Sequence, residues 1–240
     1  MKTSPFGQAD IPQSHKLPKV TALFNGVASR YDLMNDLMSG GLHRVWKNYL
    51  LGLIDTAAYP ELLDVAGGTG DIAARFIQAG GKHALVVDPT AEMLAVGRAK
   101  HAALAIDWQQ GQAEALPLPD ASQRLYTISF GLRNVVDMDE ALSEAARVLK
   151  PGGQYFCLEF CPEPWPDLRD IYRFYGDSVI PRLGAMVADD RAAYEYLIES
   201  IRRFPKPAEL TLRLEKAGFG AGRFIPLAGG ICGIHQAVRL

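Results

Sequence analysis

Residues 61–71 read Glu-Leu-Leu-Asp-Val-Ala-Gly-Gly-Thr-Gly-Asp. Leu62, Leu63, Val65 and Ala66 surround a single carboxylate, Asp64, in a short apolar run of the kind that a parallel sheet buries on both faces. Gly67-Gly68-Thr69-Gly70 then makes a tight turn, and Ile72 to Gln78 continues as a helix that stops at Gly80-Gly81. A strand, a glycine turn and a helix in that order place a ligand at the carboxyl end of a doubly wound sheet. Glycine is suited to the turn because a Cβ there would collide with a closely approaching ligand. The spacing is not Gly-x-Gly-x-x-Gly, since Ile72 follows the turn and the next glycine is Gly80, so a nicotinamide dinucleotide loses support.

Working outward, a second strand, Ala84 to Val87, ends at Asp88, about twenty residues after the turn, where a carboxylate can accept hydrogen bonds from both ribose hydroxyls. Pro89-Thr90 leads into a helix from Ala91 to about His101, with Thr90 as N-cap and Gly97 weakening the interior. Further strands are expected at Ala105–Gln109, Leu125–Phe130 and Gln154–Phe160, with a helix over Asp139–Leu149 stopped by Pro151-Gly152-Gly153. A helix over Ala208–Ala217 and two strands, Ala221–Pro226 and Gly233–Arg239, paired as an antiparallel hairpin, complete the pattern. Strands alternating with helices imply βαβ units, a parallel sheet and right-handed crossovers.

The alternation fails in two places. From 162 to 207 aromatic residues (among them Trp165, Tyr172, Phe174, Tyr175, Tyr194, Tyr196 and Phe204) recur at helix-like spacings, which reads as a helical insertion over the active-site edge. It either lines an apolar tunnel or packs as core. Upstream, Val20 to Leu53 reads as helical, giving a cap over 20–58, and residues 1–19, marked by Pro5, Pro12 and Pro18, read as a flexible leader. The organisation expected is therefore a leader, 1–19, and a single domain, 20–240.

Composition bounds the partners. A formal net charge of -2 supplies no basic field to capture nucleic acid, which points to a small substrate. Hydrophobic residues at 48% and charged residues at 22% suit a chain with a sizeable core. Three cysteines, Cys157, Cys161 and Cys232, are too few for a disulfide framework and lack metal-ligand spacing, so they are expected as buried small apolar residues in a reducing cytoplasm, with no metal. No apolar run of about 18 residues is present, so any membrane contact is peripheral.

The glycine turn, Asp88 and Gln112-Ala113-Glu114-Ala115-Leu116-Pro117 together resemble the class I S-adenosylmethionine-dependent methyltransferases, in which these three elements hold the methionine end, the ribose and the adenine. The likeness implies a Rossmann-like fold, a mostly parallel seven-stranded sheet with helices on both faces. It also implies that Asp64 or Asp71 positions the aminoacyl end, that Gly67, Gly68, Thr69 and Gly70 form the cradle, and that Pro89, Gln112, Ala113 and Ser129 border the cofactor. Residues 31–46, through Tyr31, Asp32, Met34, Asn35, Ser39, His43 and Trp46, are similar to the signature of the UbiE-type quinone-biosynthesis C-methyltransferases. Ser129-Phe130-Gly131-Leu132-Arg133-Asn134 and Arg147-Val148-Leu149-Lys150-Pro151-Gly152-Gly153 through Leu158-Glu159 match that family too. Tyr155 and Cys161 depart from it at a strand and its exit.

That resemblance implies C-methylation of a prenylated benzoquinol or demethylmenaquinol, with S-adenosylhomocysteine as product, in the cytoplasm or peripherally at the inner face of the membrane. A quinone-biosynthesis assembly and a homodimer stay open as partners. A ring carbon becomes nucleophilic when a quinol hydroxyl loses its proton, yet a phenol pKa near ~10 leaves little anion at neutral pH. Arg133 and Asn134 are the first candidates to stabilise the phenolate, the arginine acting through a water, since guanidinium is too weak a base by itself. Arg133 could instead clamp a loop through Asp137 or Asp139. His43 is an alternative base or a structural histidine, and Tyr31 and Met34 either cover the cofactor or pack in the cap. An O- or N-methyltransferase of the same fold, a non-catalytic cofactor-binding scaffold and a nicotinamide-dependent oxidoreductase are the competing readings.

Overall fold

Leu62, Leu63 and Val65 are buried on a strand that has neighbours on both sides, so the run stays apolar except for the buried Asp64. In the computed structural model, which describes residues 2–7, 9–27, 35–36, 39–166 and 191–240 (side chains of the last stretch from 196), this strand lies inside a seven-stranded sheet. The elements of the sheet are β3 (Glu61–Val65), β4 (His83–Asp88), β5 (Ile106–Gln110), β6 (Gln123–Ser129), β7 (Leu149–Phe160), β8 (Phe219–Leu227) and β9 (Cys232–Arg239). Their order is β5-β4-β3-β6-β7-β9-β8, with β9 antiparallel to both β7 and β8 and every other pairing parallel. The order of strands reverses between β3 and β6, and there the carboxyl ends open a crevice.

Helices cover both faces. On one lie α2 (Leu42–Gly52), α3 (Asp71–Gln78) and α4 (Ala91–Lys100), whose Trp46, Leu50, Phe76 and Met93 share a core with Leu62, Val86 and Phe156. On the other lie α5 (Met138–Val148) and α7 (Pro207–Lys216), packing Leu142, Ala145 and Leu214 on Leu63, Val65 and Tyr126. The antiparallel hairpin expected at the carboxyl end is β8 and β9. Cys157, Cys161 and Cys232 are buried free thiols, as their small apolar reading anticipates.

The flexible leader is corrected. Residues Thr3–Phe6 (β1) and Ala9–Pro12 (β2) form an antiparallel ribbon, and α1 begins at Gln13, seven residues before the apolar periodicity at Val20, and runs to Val27 with Pro18 inside it. Long-range anchoring overrides the proline signal: Ser4 Oγ donates to the Val136 carbonyl at 2.6 Å and Lys16 Nζ to that of Val135 at 2.6 Å. Burial in this contact pushes the Lys16 amine down to about 8.

Of the insertion over 162–207, Arg191–Arg202 is helical (α6), and its Tyr196, with Phe204 beyond it, is buried core. Tyr172, Phe174 and Tyr175 lie outside the described residues, so the tunnel reading is untested. Trp165 is exposed.

Candidate functional site

The turn after β3 is built from residues that tolerate left-handed backbone. Gly70 has φ +75° and no room for a side chain, since a Cβ would stand 2.4 Å from the Trp108 ring. At Gly67 a Cβ would meet Asp64 Oδ2 at 2.8 Å and Val86 Cγ1 at 2.9 Å. The backbone therefore lies directly on β3 and β4, leaving its outer side to face the crevice. Asp88, at the tip of β4, clasps the turn: its Oδ2 accepts from Gly68 N at 2.9 Å and its Oδ1 from Thr90 N at 2.8 Å. Thr90 occupies the N-cap position of α4, yet its side chain makes no capping bond. Burial raises the Asp88 carboxyl above its ordinary range, against these backbone donors.

Beside the turn opens a cleft lined mostly by apolar side chains, the make-up of small-molecule sites. The three sequence elements meet in it: Gly68, Asp88 with Pro89, and Gln112 with Ala113 all line the wall. Phe130, Gly131 and Asn134 form a second wall, and Leu17, Val20 and Phe24 of α1 roof it. Apolar faces from Met93, Ala113 and Phe24 around a few polar groups suit a flat heteroaromatic ring.

Deeper charges surround the turn without lining the cleft. Asp64 is 1% exposed; its Oδ1 accepts from Thr127 Oγ1 at 2.7 Å, and its Oδ2 has no partner. Burial raises this carboxyl to about 7, the Thr127 bond opposing. Asp71, first residue of α3, accepts from Lys47 Nζ at 2.9 Å and from Arg75 Nε at 2.9 Å. Burial pushes the Asp71 carboxyl up, but the two cations outweigh it and hold it at about 2. Thr69 is buried, and the Ser129 hydroxyl is buried without a partner.

Arg133 is placed otherwise than a phenolate contact would require. It sits in the short 3-10 turn Leu132–Asn134, and its Nη1 donates to Glu159 Oε1 at 2.7 Å and to the Phe130 carbonyl at 2.5 Å, behind the cleft wall. Neither alternative partner is used: Asp137 caps α5 by accepting from Asp139 N and Glu140 N, and Asp139 pairs with Arg213. Asn134 does reach the cleft. Its Oδ1 accepts from the Tyr196 hydroxyl at 3.1 Å, and its Nδ2 makes a long bond of 3.4 Å to the Phe130 carbonyl.

His43 is buried on the inward face of α2, with Nε2 at 2.8 Å from Asp36 Oδ1 and Nδ1 without a partner. Burial, followed by the nearby Lys47, lowers its pKa below the ordinary histidine range, so the ring is neutral at physiological pH. With Asp36 taking the Nε2 proton, Nδ1 carries the lone pair. Tyr31 and Met34 lie outside the described residues.

Sequence reasoning passed over Lys47, and it gave Glu114 no contact of its own and the cap helix no place over the cleft. Glu114 Oε1 accepts from Val136 N at 2.5 Å and Asp137 N at 3.2 Å, fixing the segment after Asn134. The signal for Lys47 is its place on the apolar face of α2, one turn after His43 and beside Trp46, where a lysine is unexpected.

A profile of the ubiE/COQ5 methyltransferase family matches residues 13–239. The ubiquinone/menaquinone biosynthesis C-methyltransferase UbiE of Methylobacterium nodulans is 51% identical over 242 residues, covering 98% of this chain and 96% of that protein. The protein of the same name from Bradyrhizobium diazoefficiens is 47% identical, covering 100% and 98%. Among solved structures, an S-adenosylmethionine-dependent methyltransferase from Aquifex aeolicus superposes with a TM-score of 0.62 at 18% identity, over 90% of this chain and 98% of that one. Human N-acetylserotonin methyltransferase in complex with S-adenosylmethionine gives 0.63 at 20% identity, over 95% and 60%. These two likenesses concern the fold.

Proposed function

This chain belongs to the ubiE/COQ5 methyltransferase family, and from that premise we propose that it transfers the methyl group of S-adenosylmethionine to a ring carbon of a prenylated benzoquinol or demethylmenaquinol, releasing S-adenosylhomocysteine. The observation that carries the reading is Asp88, anchored by Gly68 N and Thr90 N beside a cleft that Gln112 and Ala113 also line. The residues fit the cofactor: on the cleft wall, Asp88 for the ribose hydroxyls and Ala113 and Met93 for the adenine, and beneath the turn at Gly67, the unpartnered Asp64 Oδ2 for the ammonium. When bound, the cofactor supplies an electrophilic methyl that needs no further activation.

The chain's own part is to orient the ring, exclude water and move protons. Asn134, steered by the Tyr196 hydroxyl, is the group at the cleft that donates to the developing phenolate oxygen. Arg133 and Glu159 act one layer behind, holding the Phe130 carbonyl and the 132–134 turn in place. His43 accepts the quinol hydroxyl proton at Nδ1, its ring oriented by Asp36. The methylated carbon then sheds its own hydrogen as a proton and the ring becomes aromatic again. An apolar tail partitions into bilayers, so we place the encounter with substrate at a membrane surface, although no helix among the described residues is long and apolar enough to cross one.

Incubating the purified chain with methyl-labelled S-adenosylmethionine and a short-tailed demethyl-benzoquinol or demethyl-naphthoquinol tests the reaction. Label on ring carbon is expected; label on a hydroxyl oxygen rejects C-methylation. Calorimetry should register cofactor binding that Asp88→Ala weakens roughly a hundredfold; an unchanged affinity rejects the cofactor site. His43→Gln should lower kcat on the order of a hundredfold and remove the acidic limb of its pH profile.

A further inference from the structure

Lys47 is a buried cation, 4% exposed, that the mechanism above leaves without a task. Its Nζ is held by Asp71, but Asp71 divides its charge between Lys47 and Arg75. Asp71 also opens α3, where unsatisfied N–H groups add positive potential. Two cations and a helix start thus share one carboxylate. Buried charge is retained where it is compensated, so the arrangement calls for an anion beside Lys47. Asp64 is the nearest candidate within the chain, but it is itself buried, and its one hydrogen bond comes from Thr127 and not from Lys47.

Position identifies the missing anion. Nζ stands 5.9 Å from the centroid of the Phe130 ring, and Phe130 lines the cofactor cleft. On the other side of the glycine turn, Asp64 keeps an unpartnered Oδ2 beneath Gly67. A cation and an anion therefore flank the same turn, the pattern complementary to an amino acid zwitterion. Resting on the cofactor assignment made above, we propose that Lys47 Nζ donates to the α-carboxylate of the S-adenosylmethionine aminoacyl end, opposite the ammonium taken by Asp64. Lys47 has the protons to do so, since an ammonium carries three and Asp71 accepts one. The site then distinguishes the cofactor from sulfonium nucleosides that lack the carboxylate.

Isothermal titration of the intact chain with S-adenosylmethionine and with decarboxylated S-adenosylmethionine tests this. The wild type is expected to bind the carboxylate-bearing ligand ten- to a hundredfold tighter, roughly what one charge-assisted hydrogen bond supplies. Lys47→Met should bring the two affinities together by weakening S-adenosylmethionine alone, and Lys47→Arg should keep most of the preference. Equal affinities in the wild type, a comparison that needs no variant to fold, or a preference that survives in Lys47→Met, would overturn the proposal and leave the cofactor assignment standing. A wild type that binds neither ligand overturns both.

Discussion

Asp88 and Arg133 are equally withdrawn from solvent, each 6% exposed, one at the tip of a strand and the other in the turn that follows a strand of the same sheet. They differ in what satisfies them. Asp88 is held by two backbone N–H groups of the loops that it joins, an arrangement that leaves it on the cleft wall. Arg133 is held by Glu159, on the neighbouring strand β7, and by a carbonyl three residues back, which draws its guanidinium away from the cleft. A charge satisfied by local backbone remains available to a ligand, whereas one satisfied by a buried opposite charge is committed to the fold. The residue next to it, Asn134, inherits the place at the cleft.

The largest effect should come from breaking the committed pair. Glu159→Ala strands a buried guanidinium and is expected to cost ~3–5 kcal/mol in urea unfolding, whereas the double variant Arg133→Met with Glu159→Leu should recover most of it. A loss below ~1 kcal/mol would show Arg133 free to serve the reaction directly. Next, Asn134→Ala should lower kcat on the order of a hundredfold while the affinity for S-adenosylmethionine stays within about twofold; a matching loss of affinity would move Asn134 from substrate to cofactor.

The smallest effect is set by pH. Burial pushes the Asp64 carboxyl up to about 7, and an ammonium requires its ionised form. Affinity for S-adenosylmethionine should therefore rise up to about tenfold per pH unit below 7 and level off above it, with Asp64→Asn flattening the curve. The sign for stability is opposite: the fold favours neutral Asp64, so this group's contribution declines as pH climbs from the usual carboxyl range to about 7 and is constant beyond. A flat binding curve in the wild type would remove Asp64 from the cofactor site.

The half of the site nearest β3 and β4 was legible because its functions are performed by backbone, and backbone geometry leaves glycines and a strand-end carboxylate at regular intervals. Gly67, Gly68 and Asp88 could be placed from spacing, and Ala113 from the resemblance to the methyltransferases. The other half depends on where side chains turn, and spacing is silent about that. Arg133 was readable as a strand-tip arginine, but its partner Glu159 is 26 residues away on another strand. Lys47 and Asp71 meet across 24 residues, and the Ser4 and Lys16 anchors reach more than a hundred residues along the chain. Prolines that marked a leader were compatible with a two-stranded ribbon, because such a ribbon demands few N–H donors.

That ribbon also bears on how quickly ligands exchange. Leu17, Val20 and Phe24 cannot swing off the cleft while Ser4 and Lys16 grip the carbonyls of 136 and 135, which belong to its opposite wall. Spent nucleoside therefore departs no faster than this clasp lets go, and a chain shortened to begin at Gln13 should shed S-adenosylhomocysteine sooner and suffer less inhibition by it, at the expense of a looser grip on fresh methyl donor.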